Sequence, residues 1–167
     1  KPTVARITST LVSLGYLKQL PNTTKYLLDV GVLALGYSAL SNISARTQAY
    51  PFMEEMSRYA QAPVAMATRD RLNMIYLEVV HTESTMTMRR PVGSTLPIHS
   101  SAMGRACLAA MDVKEREYLF DAIKKRNEDQ WPTIKRNLER AIRDYQDYGY
   151  CLSLGDWAKD VNSVAVP

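Results

Sequence analysis

Between Leu96 and Ala109 the chain reads Leu-Pro-Ile-His-Ser-Ser-Ala-Met-Gly-Arg-Ala-Cys-Leu-Ala, and these residues carry its most suggestive chemistry. Leu96, Pro97 and Ile98 read as the end of an extended run. His99, Ser100 and Ser101 supply capping side chains, and from Ala102 to Met111 apolar residues recur at helical spacing (Met103, Ala106, Cys107, Ala110, Met111). Ser100, Ser101, Ala102 and Gly104 leave the first turn almost bare. A helix start holds unpaired backbone N–H groups at the positive end of the helix dipole. With small residues around them, a compact carboxylate or phosphate can reach those groups directly. The same small residues equally suit a helix that packs tightly onto a sheet.

Catalysis finds less support. His99, Ser100, Ser101 and Asp156 are the ingredients of a hydrolase site, but neither a G-x-S-x-G elbow nor a metal motif is present. His81 and His99 have no ligand spacing with Cys107 or Cys151, so no metal site and no cofactor are expected. The two cysteines read as reduced core thiols of a cytoplasmic protein. The sequence reads as that of a non-enzyme.

Composition sets the frame for these residues. The 167 residues suit one medium domain with room for a small second one, and 46% hydrophobic and 23% charged content is ordinary for a globular protein. No window approaches roughly 18 uncharged apolar residues, so no membrane span is expected, and the opening Lys-Pro-Thr-Val-Ala-Arg does not read as a secretory leader. The net charge of +4 is carried by Lys1, Arg6, Lys18 and Lys25, since residues 1–28 contain no acid and the remainder is neutral. A basic end on a neutral body implies an anionic partner there.

In that basic end, residues 3–13 place Val4, Ile7, Leu11 and Leu14 on one helical face, with Thr3 as N-cap, Arg6 in the first turn and Gly15 as stop. Tyr16–Leu20 and Lys25–Leu28 read as two short strands joined by the turn Pro21-Asn-Thr-Thr24. A helix followed by a basic hairpin is the winged-helix arrangement, in which the helix enters the DNA major groove and the wing grips the backbone.

Val32–Ile43 reads as a helix apolar on more than one side and free of charge, either buried in the domain or packed on a second copy of itself. Arg46–Gln61 continues as an amphipathic helix with Tyr50, Met53, Met56, Tyr59 and Ala60 inward, and with Pro51 at a break or a first turn. Pro63–Thr68 and Met74–Val80 are strand-like around the loop 69–73, and Thr85–Met88 suggests a third strand. Met86 and Met88 are either the lining of an adaptable pocket or ordinary core residues. Lys114–Lys125 and Thr133–Tyr148 are amphipathic helices, the latter closed by Gly149. Tyr150–Leu154 and Asn162–Pro167 are strands around the loop 155–161.

Two of these segments carry a family likeness. Leu96-Pro97-x-His99-x-x-Ala102-x-Gly104-Arg105-Ala106-x-Leu108-Ala109 resembles the signature helix of IclR-type bacterial transcription regulators. Lys1-Pro2-Thr3-Val4-x-Arg6-Ile7 with Leu14-Gly15-Tyr16-Leu17 resembles the second half of their DNA-binding domain. The resemblance implies an α/β fold: a partial winged helix-turn-helix plus a GAF-like effector-binding domain with a curved, mostly antiparallel sheet flanked by helices. It divides the chain into a DNA-binding remnant (1–28), a linker helix (29–45) and an effector domain (46–167).

It further implies DNA contacts by Lys1, Thr3, Ala5, Arg6, Lys18 and Lys25. A small organic acid, aromatic acids included, would dock on the N–H groups around Ser101, Ala102 and Met103, enclosed by Met86, Met88, Ser153 and Ser163. Asp160 stands where a glycine is common in the family. The linker implies a homodimer or homotetramer, and the expected function is effector-modulated operator binding. The alternative is a stand-alone sensor or interaction module without DNA binding.

Overall fold

A computed structural model describes residues 2–81 and 90–167. Two compact units emerge, residues 1–49 and 50–167. In the first, α1 (Pro2–Ser13) leads into a hairpin of β1 (Leu17–Gln19) and β2 (Tyr26–Leu28), with Leu17 opposite Leu28 and Gln19 opposite Tyr26. α1 ends in a Schellman turn: Tyr16 N–H donates to the Leu11 carbonyl and Gly15 N–H to that of Val12, with Gly15 at φ +72°. Here the expected N-terminus shifts. The helix already includes Pro2, whose ring suits a first helical position, so Thr3 is helical rather than a cap, and Arg6 is the fifth helical residue, just past the first turn.

α2 (Gly31–Ser41) follows, and none of its residues is buried; Leu33 is 70% and Tyr37 74% exposed. The reading of this helix as one buried in its own domain is therefore set aside. α3 (Ser44–Ala60) runs without a break through Pro51. Proline removes one helical hydrogen bond, but Thr47, whose carbonyl loses its donor, is exposed and open to water. The inward face expected of this helix is corrected too. Met53 is buried, whereas Tyr50, Met56 and Ala60 are exposed and Tyr59 is 91% exposed. Periodicity places residues on a face without saying whether that face is covered.

In the second unit β3 (Val64–Asp70), β4 (Asn73–Val80) and β5 (Thr95–Pro97) form an antiparallel sheet in that order. The β3–β4 hairpin is tighter than the loop expected from sequence, because Arg71 adopts φ +55° and Asp70 pairs with Asn73. The expected third strand at Thr85–Met88 lies outside the described residues.

α4 (Ala102–Ala110), α5 (Val113–Arg126) and α6 (Trp131–Tyr148) come next, then the antiparallel pair β6 (Cys151–Leu154) and β7 (Asn162–Ala165). α4 is the hub. Its Leu108 joins Met74, Ile98, Leu119, Ile123, Ile134 and Leu138 in the main core, while Ala106 and Ala109 meet Ala141 and Cys151. Asp112 caps α5 by accepting from Lys114 N–H at 2.8 Å, and Gly149 (φ +81°) closes α6 through a bond to the Tyr145 carbonyl. Among the described residues no helix is long and apolar enough to cross a membrane.

Candidate functional site

The start of α4 is built as its sequence predicts, with Ser101 as the cap. Its hydroxyl accepts from Gly104 N–H at 3.2 Å and donates to the Pro97 carbonyl at 2.8 Å. Ser101 and Ala102 are buried. Met103 is half-buried and packs against the main core. Part of the smallness of this turn has a packing cause: a Cβ on Gly104 would overlap the Ile98 carbonyl. The helix therefore approaches the preceding backbone as closely as glycine alone permits.

β6 reaches the same place. The Ser153 hydroxyl, in a 1% exposed residue, donates to the Ser100 carbonyl at 2.8 Å. Ser163 stands opposite Ser153 in the β6–β7 ladder and is exposed. The fold thus gathers Ser101, Ala102, Met103, Ser153 and Ser163 into one neighbourhood, though they are far apart in sequence. Met86 and Met88 lie outside the described residues.

What the sequence reading missed is the residue that ties these parts together. Arg105 is 2% exposed and is the largest fully buried side chain among the described residues. Its Nε donates to the His99 carbonyl at 3.3 Å. One terminal nitrogen donates to the Leu152 carbonyl and to the Asp156 carboxylate, each at 2.8 Å. Asn137 Nδ2 lies 3.5 Å from the other Asp156 oxygen. A signal was available: Arg105 is the lone charge in α4 and has alanines and a leucine about it. Burial, followed by the Arg105 charge, pushes the His99 pKa below its ordinary 6.5. Both effects favour the uncharged imidazole.

Beyond Asp156, the loop closes on itself, with Gly155 N–H donating to the Val161 carbonyl and Val161 N–H to that of Ala158. Trp157 lies under the Arg90 guanidinium, 4.5 Å from ring centre to cation. In the first unit, Thr3, Ala5, Arg6, Lys18 and Lys25 are all exposed, and Lys1 lies outside the described residues.

Residues 37–167 match a family model described as bacterial transcriptional regulator IclR C-terminal. The chain belongs to the IclR family. It is 37% identical over 168 residues to the HTH-type transcriptional regulator TsaQ1/TsaQ2 of Comamonas testosteroni, covering 99% of this chain and 60% of that protein. It is 31% identical over 166 residues to the Pca regulon regulatory protein of Pseudomonas putida, covering 98% and 56%. Among solved structures, an IclR family transcriptional regulator from Brucella abortus shares 57% identity at a TM-score of 0.94, over 99% of this chain and 63% of that one.

An IclR homologue from Microbacterium hydrocarbonoxydans, solved complexed with 4-hydroxybenzoate, has a TM-score of 0.66 at 20% identity over 99% and 69%. At that identity the likeness speaks for the fold. The IclR chain described here spans about three-fifths of the length of the curated relatives it matches.

Proposed function

We propose that this IclR-family chain is part of a cytoplasmic DNA-binding transcriptional regulator whose hold on its operator is set by a small organic acid. The observation that carries this reading is the convergence of the α4 start and β6 at the Ser153–Ser100 hydrogen bond. There the dipole-positive end of a helix meets a strand bearing the Ser153 hydroxyl, and the nearby Asp156 carboxylate is neutralised by Arg105. Such a wall accepts a carboxylate or phenol without like-charge repulsion. Ser101, Ala102 and Met103 would hold the carboxylate, with Ser153, Ser163, Met86 and Met88 about the rest. The complex of the Microbacterium homologue with 4-hydroxybenzoate supports an aromatic acid as the first candidate.

At the basic end, exposed Arg6, Lys18 and Lys25, with Lys1, Thr3 and Ala5, would face DNA. The apolar α1 residues Val4 and Ile7 are 68% and 57% exposed. A stripe so apolar and exposed calls for a cover. α2 would pair with a second copy of the chain, since Leu33, Leu35 and Tyr37 are too apolar for a face left in water. An acid acts on DNA binding only if it favours one arrangement of the paired subunits over another.

Calorimetric titration with 4-hydroxybenzoate, benzoate and succinate tests the acid; no heat from any of them refutes the sensing part. Fluorescence anisotropy on a mixed-sequence duplex tests the DNA part. The slope of log affinity against log salt should be steep and should fall by about 1 for each of Arg6, Lys18 and Lys25 changed to alanine. A flat slope favours a stand-alone sensor.

A further inference from the structure

Three hydrogen bonds place one cation between three segments. Arg105 bonds the His99 carbonyl ahead of α4, the Leu152 carbonyl in β6 and the Asp156 carboxylate at the start of the β6–β7 loop. Lysine would supply the charge, but only the planar guanidinium offers several donors in fixed directions. Burying an ion pair rarely adds net stability over an apolar residue of the same size, because desolvation offsets the attraction. The arrangement does fix geometry. Since the loop is closed by its own Gly155–Val161 and Val161–Ala158 hydrogen bonds, holding Asp156 holds the loop as a body. Trp157 is then presented to Arg90.

We propose that Arg105 is a positioning residue for the effector site: through Asp156 it holds the β6–β7 loop at a set separation from the α4 start, so that ligand meets a preformed wall. A preformed wall spares a ligand the entropic cost of ordering the loop on binding. The proposal rests on the effector reading above, and its own test has a readout free of ligand.

In Asp156→Asn the amide oxygen can still accept from the buried Arg105, while the counter-charge on this 25% exposed side chain is lost. For the test Trp131→Phe is introduced into the 167-residue chain, which leaves Trp157 as the one tryptophan of that variant. In that background Asp156→Asn should shift ligand-free Trp157 emission to the red. It should also weaken benzoate binding roughly tenfold, the scale of loss when a supporting group is cut. Asp156→Glu should restore part of both, and each variant should still unfold cooperatively in urea. Arg105→Lys, which keeps the charge but not the fork, should weaken binding likewise if it folds.

Wild-type benzoate affinity in Asp156→Asn, or unchanged Trp157 emission, overturns the proposal. Should the parent chain bind none of the acids, the effector reading fails. A red shift would then still uphold the anchoring of the loop, and its absence would overturn that as well.

Discussion

The Arg105 guanidinium and the Asp156 carboxylate meet at 2.8 Å with side-chain exposures of 1% and 25%. A buried cation thus leans on a carboxylate that is itself partly wet. Such a pair is asymmetric: removing the cation and removing the acid are different experiments.

Arg105→Met should be the more damaging change. It leaves the Leu152 and His99 carbonyls and the Asp156 carboxylate without their donor, a loss of about 3–5 kcal/mol for a broken buried pair. Asp156→Asn should cost less, about 1–2 kcal/mol, because the buried cation loses its counter-charge but keeps an acceptor in the amide oxygen. Urea unfolding followed by circular dichroism ranks the two, and equal costs would contradict this account.

Gly104→Ala should destabilise by about 1–3 kcal/mol despite alanine's better helix propensity, since its Cβ would overlap the Ile98 carbonyl. Ser101→Ala, one cap lost, should cost about 1 kcal/mol. Thermal melts of the two variants check the order, and a stabilised Gly104→Ala would show that the α4 approach is looser than described.

His99 has its pKa lowered in the fold, chiefly by burial and then by Arg105. The unfolded chain therefore takes up this proton first as pH falls. Stability contributed by neutral His99 is present above its ordinary pKa of 6.5 and is lost as pH drops below it. Unfolding free energies across that range should fall less steeply in His99→Gln; identical pH profiles would count against this assignment.

Cys151 donates its thiol to the Ala141 carbonyl at 3.2 Å and is buried, which pushes its pKa up to about 11. Asp144 raises it further and Arg105 opposes. In the native chain at pH 8, iodoacetamide should modify half-buried Cys107 ahead of Cys151, as mass spectrometry would show. The folded state also retains a proton that the unfolded thiol gives up above pH 9, so this contribution fades as pH rises past that value.

Local features were open to reading from the residues alone. Outside the expected strand at Thr85–Met88, which the described residues do not include, the element order, the Gly15 and Gly149 stops and the Ser101 cap follow from periodicity and capping within a few residues, and the basic acid-free beginning from composition. The capped, small-residue start of α4 was legible for the same reason. Part of that smallness turned out to serve packing, because the Gly104–Ile98 approach is a matter of three dimensions.

Coverage and long-range pairing were decided by tertiary structure. Thr3 gave way to Pro2 as the first helical residue, a local matter, and Pro51 sits inside its helix because the carbonyl it leaves without a donor is exposed. Tyr50, Met56 and Tyr59 obeyed their period and still faced outward. Arg105 finds Leu152 and Asp156, and Ser153 finds Ser100, across separations of 47, 51 and 53 residues. A helical or strand period carries no information over such distances. Where a buried charge finds its partner is set by how α4 and β6 come together.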